Sequence, residues 1–82
     1  MKERNQICLK RFGEMLRRMD DAEYNTTVQY MLIRSHANQV WRETLIDEEL
    51  LISHGIEYED DHEYEICTLS EEACAYLAFC NL

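Results

Sequence analysis

The residues from Ile56 to Leu69, IEYEDDHEYEICTL, restrict the fold of this chain more than any other stretch. Two runs of alternating apolar and acidic residues, Ile56-Glu57-Tyr58-Glu59 and Glu63-Tyr64-Glu65-Ile66, flank a polar triplet, and a period of two marks half-buried strands. A two-stranded antiparallel hairpin over 56–69 is predicted. With a loop of only Asp60-Asp61 the two tyrosines would fall on opposite faces, a register that burial of one face disfavours. A three-residue loop, Asp60-Asp61-His62, instead pairs Ile56 with Ile66 and Tyr58 with Tyr64. It also sets Glu57 against Glu65 and Glu59 against Glu63, and each like-charged pair across a ladder costs up to roughly 1 kcal/mol. Such a hairpin needs support from the rest of the chain, or a partner.

Eighty-two residues suffice for one domain, 1–82, with a small core. With 46% hydrophobic residues, no proline and two glycines, the chain has the composition of a folded domain. No apolar run approaches the roughly 18 residues that span a bilayer, and the charged start MKERNQICLK lacks the apolar stretch of a signal peptide, so a cytoplasmic location is expected. Cys8, Cys67, Cys74 and Cys80 show no paired spacing and read as reduced, largely buried thiols. Charge is strongly asymmetric. All eight lysines and arginines lie at or before Arg42, with five acids among them; the forty residues that follow hold twelve acids and no lysine or arginine. Nucleic acid and anionic membrane are therefore poor partners for the second half, and a basic protein surface is a good one.

An amphipathic helix is predicted from Lys2 to Met19, with Cys8, Phe12, Met15, Leu16 and Met19 on its inner stripe and a break at Asp20-Asp21. Thr26-Thr27-Val28-Gln29 has the form of a capping box, and Tyr30, Ile33, Ala37, Val40, Trp41 and Leu45 then follow at helical spacing, so a second helix is expected to Arg42 or Glu43. A kink or break is expected near 44–47, continuing as one bent helix or as a third, and ending on Gly55 as a C-terminal cap. Ser70-Glu71-Glu72 starts a last helix running to Leu82. Its body is apolar on every side, which places it either in the centre of the bundle or at a dimer contact through Tyr76 and Phe79. The expected fold is α+β: three or four helices packed on the hairpin, with Phe12, Leu16, Ile33, Val40, Trp41, Leu45, Ile56, Tyr58, Ile66 and Leu77 buried.

His36, His54 and His62 lie far apart, and no nucleophile–base pair or phosphate loop has recognisable context, so neither an enzyme nor a cofactor is expected. His62, Cys67 and Cys74 match no zinc spacing, since alternation sends Cys67 to the outer sheet face; Asp60 and Asp61 lack the oxygens and glycine of a calcium loop. The order of helices followed by a hairpin and a closing helix over residues 26–80, with Leu50-Leu51-Ile52-Ser53-His54-Gly55-Ile56 leading into Thr68-Leu69-Ser70-Glu71, resembles the end of a winged-helix domain. That resemblance implies a third helix and a wing meeting DNA through cations. Here those positions hold Asp47, Glu48, Glu49, Glu57, Glu59, Asp60 and Asp61.

Two functions follow as expectations. The first is a non-catalytic inhibitor of the phage or mobile-element type, anti-CRISPR or anti-restriction in class. In it Glu48, Glu49, Glu57, Glu59, Asp60, Asp61, Glu63 and Glu65 occupy a basic nucleic-acid-binding surface of a host complex. The second is a dimeric winged-helix-like adaptor or transcriptional regulator in which the acidic face serves only solubility.

Overall fold

Helix α1, Glu3–Arg18, turns Cys8, Leu9, Phe12 and Leu16 inward, and Arg17 and Arg18 close it where the helix dipole favours cations. The computed structural model describes residues 1–18 and 24–80; the expected break at Asp20-Asp21 and the end of the last helix at Leu82 lie outside them. After α1 the chain does not form the predicted helix from Thr26. The Asn25 carboxamide oxygen accepts from both the backbone N–H and the hydroxyl of Thr27, each at 3.0 Å, which closes a turn and removes the cap. Strand β1, Tyr30–Ile33, follows: its aromatic and β-branched residues suit a strand, and Tyr30 and Leu32 point inward while Met31 and Ile33 point out.

Helix α2 covers only Gln39–Asp47. Its entry is fixed by Asn38, whose amide donates to the Ile33 carbonyl at 2.6 Å and whose side-chain oxygen accepts from Arg42 Nε at 3.0 Å. It ends in paired bonds from Leu50 N to Leu45 O at 2.9 Å and from Glu49 N to Ile46 O at 3.1 Å, with Glu49 left-handed at φ 59°. That position normally takes glycine. Gly55, expected there as a cap, lies instead within strand β2, Leu51–Glu59. The third helix implied by the winged-helix resemblance is therefore absent, and strand replaces it.

Strand β3, His62–Leu69, lies between the other two, giving the antiparallel order β1-β3-β2 rather than a lone hairpin. Among the described residues three helices, within the expected three or four, pack on three strands rather than two. The loop is two residues, not three: Glu59 pairs with His62, Tyr58 with Glu63, Glu57 with Tyr64 and Ile56 with Glu65. Asp60 and Asp61 take φ 51° and 64°, the conformation of a tight hairpin turn whose twist matches that of the strands. The expected glutamate-on-glutamate ladder does not form. A bulge between Ser53 and Ile56 places two residues of β2 opposite one of β3, with Gly55 at φ 125°. This shifts the alternation by one, so that Leu51, Ser53, Ile56 and Tyr58 share one face and Ile52, Glu57 and Glu59 the other.

The helices cover the first of these faces. Tyr30, Leu32, Leu51, Cys67 and Leu69 are buried there with Phe12, Leu16, Leu45 and Leu77. Cys67 is thus a core residue and not on the outer face. Helix α3, Glu71–Cys80, is capped by the Ser70 hydroxyl, which accepts from Ala73 N at 3.1 Å, and it approaches α1 so closely that a methyl group on Gly13 would stand 3.0 Å from Leu77. Ile33, Val40, Ile56 and Tyr58, expected in the core, are exposed; Trp41 and Ile66 are half-buried. Val40 and Ile33 are exposed because no single helix spans 30–45, and Ile56 and Tyr58 because the distal hairpin extends past the helices that would cover it.

Candidate functional site

The eight acids singled out in the sequence do not form one surface. Glu48 and Glu49 precede β2 and the turn ends it, so its length separates them from the hairpin tip by roughly 25 Å. Glu48 is held by the start of α1, accepting from Lys2 Nζ at 3.3 Å and Arg4 at 2.7 Å. The Lys2 ammonium, with Arg4 beside it, keeps this carboxyl below the usual carboxylate range. Glu63 and Glu65 lie on the helix-covered face and are also neutralised. Arg34 reaches Glu63 at 3.2 Å and Glu65 at 3.5 Å, while Arg42, 3% exposed, reaches Glu65 at 3.3 Å. Ser53 donates to the remaining oxygen of Glu65 at 2.7 Å. Glu65 thus ties the sheet to α2 through Arg42, and Glu63 ties β3 to Arg34 at the end of β1.

Five remain: Glu49, exposed in the left-handed residue that closes α2 and far from the tip, and Glu57, Glu59, Asp60 and Asp61 of the hairpin. These last four sit together on the distal half of the hairpin, all exposed, and none forms an ion pair among the described residues. Glu57 and Glu59 project from the uncovered face, and the two aspartates form the turn. On the opposite side Tyr58 is 74% exposed, and the facing Glu63 carboxylate, by accepting the phenol's proton in a hydrogen bond and by its negative charge, raises the phenol's pKa. His62 and Tyr64 meet edge to face at 6.5 Å beside the glutamates. The arrangement is an arm: β2 and β3, anchored by Leu51, Cys67 and Leu69 at their root, run past the end of β1 at the Ile33–Tyr64 pair, with unpaired negative charge from Glu57 beside that pair out to the turn.

Behind the arm, on the same uncovered face, stand apolar side chains that the sequence did not mark as a surface. Met31, Ile33 and Ile52 are each 40–44% exposed, next to half-buried Tyr64 and Ile66. Their common face depends on β1, hidden when 26–43 is taken as helix; the run Tyr-Met-Leu-Ile was the available signal. The other residues with possible chemistry are dispersed. Cys67 is in the core, its thiol pushed up to about 12 by burial, and Cys74 is half-buried on α3, likewise raised by desolvation. No group of three histidine, cysteine or acidic side chains that could hold a metal ion occurs among the described residues. Phe79 is 74% exposed and Tyr76 half-buried on α3. No helix among the described residues is long and apolar enough to cross a membrane. Comparison with protein-family models, with curated proteins and with solved structures gave no match to this chain.

Proposed function

We propose that the chain is a non-catalytic protein-interaction module whose acidic hairpin arm enters a basic, nucleic-acid-binding cleft of another protein, acting as an inhibitor of the anti-CRISPR or anti-restriction kind. One observation carries this: the chain neutralises Glu48, Glu63 and Glu65 internally but leaves Glu57, Glu59, Asp60 and Asp61 unpaired at the end of a projecting arm. Four carboxylates along a narrow ridge present a cleft of lysine and arginine with the charge a phosphate backbone would. Steering between opposite charges mainly raises the association rate, so binding is fast and salt-sensitive. The test is capture of host nucleic-acid-handling proteins on the immobilised chain near 0.15 M salt and near 1 M, where the Debye length falls to about 3 Å. Capture should be lost at high salt and by a variant carrying Glu57→Gln, Glu59→Gln, Asp60→Asn and Asp61→Asn. A variant that captures the same proteins as well as the parent reduces the arm to a solubility surface. The exposure of Phe79 favours a second reading, a dimeric adaptor joined through α3; sedimentation of the parent as a monomer at high micromolar concentration removes it.

A further inference from the structure

The uncovered face of the sheet grades from apolar to acidic along one direction. The registers place Ile52 beside Thr68, then Ile66 beside Met31, then Glu57, Tyr64 and Ile33 in one row across the three strands, then Glu59 beside His62, and last the turn. Successive rows are roughly 7 Å apart, and three strands measure about 10 Å across. One α-helix with its side chains is 10–12 Å wide by the same order of measure, and about four turns of it span the rows. No lysine or arginine stands on this face among the described residues. A second copy of the chain is ill-matched, because its one basic amphipathic helix, α1, already buries Cys8, Leu9, Phe12 and Leu16 in its own core.

We infer that this face is the docking surface for a basic amphipathic helix of the partner, its apolar stripe on Met31, Ile33, Ile52 and Ile66 and its cations on Glu57 and Glu59. This rests on the acidic-arm reading and adds the partner's secondary structure and polarity. The sheet is covered on one side by helices of its own; the partner supplies the second layer, and the exposed apolar side chains gain burial as the unpaired carboxylates gain counter-charges.

The test uses the full chain and a fluorescein-labelled leucine–lysine peptide of about four amphipathic turns, with a peptide of identical composition in scrambled order as control, read by anisotropy. The apolar variant is Ile33→Thr with Ile52→Thr, both exposed positions where threonine keeps strand propensity, and its melt should match the parent's. The amphipathic peptide should bind the parent at least tenfold tighter than the scrambled one does, and the apolar variant should lose that preference. The variant with Glu57→Gln and Glu59→Gln should keep the preference but lose most of the salt dependence. Equal binding of both peptides to the parent, or an apolar variant that still prefers the amphipathic peptide, overturns the docking surface and leaves the acidic arm standing. An unchanged salt dependence in the carboxamide variant contradicts the acidic arm itself, and the basic character of the occupant with it. A parent that sediments as a dimer, with the threonine variant a monomer, assigns the face to a second copy and overturns the inference.

Discussion

Arg42 shows how one side chain decides what the acidic residues are for. It is buried against Asn38 and Glu65, and with Arg34 beyond the end of β1 it turns Glu63 and Glu65 from binding candidates into structural partners, Glu65 to α2 and Glu63 to the segment after β1. Replacing one partner of a buried pair leaves the other desolvated and uncompensated, at about 3 kcal/mol or more. Arg42→Met should therefore lower the melting temperature by roughly 10 °C or more in a domain this size. An unchanged melt would mean that Glu65 is solvated and available to a partner. Cys67 offers a second check at this scale. Burial, with the Glu65 charge adding and Arg42 opposing, raises its thiol from about 9 to about 12. A raised acid pKa in the folded state means that the unfolded chain loses its proton first, so this contribution is whole below pH 9 and declines as pH rises from 9 towards 12. Iodoacetamide near pH 8 should accordingly label exposed Cys80 and spare Cys67 until the chain unfolds. Prompt labelling of Cys67 in the folded protein would place it outside the core.

Among the elements, the hairpin depends on two local features of backbone. Gly55 holds φ 125° in the bulge, so Gly55→Ala should destabilise the fold by about 1–3 kcal/mol and disturb which face Glu57 and Glu59 occupy. Asp61 is an L-residue held left-handed, at a cost near 1 kcal/mol, and Asp61→Gly should recover most of it while keeping the turn. A melt in which Gly55→Ala is neutral and Asp61→Gly is harmful would contradict the two-residue loop. These features also explain what was legible in the sequence. The period of 3.6 in α1, the Ser70 cap of α3 and the alternation of the hairpin were direct signals, and all three elements form. The register was not legible, because matching the tyrosines ignores the bulge at Gly55, which lets opposite-facing runs share a sheet with a tighter turn. Strand β1 was hidden because Tyr30, Ile33, Ala37 and Val40 fit a helical spacing by coincidence, and only the turn at Asn25–Val28 and the pairing with β3 decide against it. With the strand went the apolar half of the candidate surface, whereas the acids of the arm were plain from composition alone.

For the molecule as a whole, the described chain extends 37 Å in its longest direction against 24 and 21 Å in the others, with a helix-covered core and an acidic arm. Charge is partitioned along the sequence and again in space: residues at the start of α1 and the clamp at Arg34 and Arg42 take up Glu48, Glu63 and Glu65, while Glu57, Glu59, Asp60 and Asp61 stand together at the hairpin's end. A role in occupying a nucleic-acid cleft requires that arm and nucleic acid exclude one another. The most direct measurement titrates the chain into a complex of a labelled DNA duplex with a protein it captures, near 0.15 M salt, following release of the duplex. Release is expected at one chain per binding site, with the variant Glu57→Gln, Glu59→Gln, Asp60→Asn, Asp61→Asn releasing none at the same concentration. Simultaneous binding of chain and duplex, or equal release by that variant, would contradict that role.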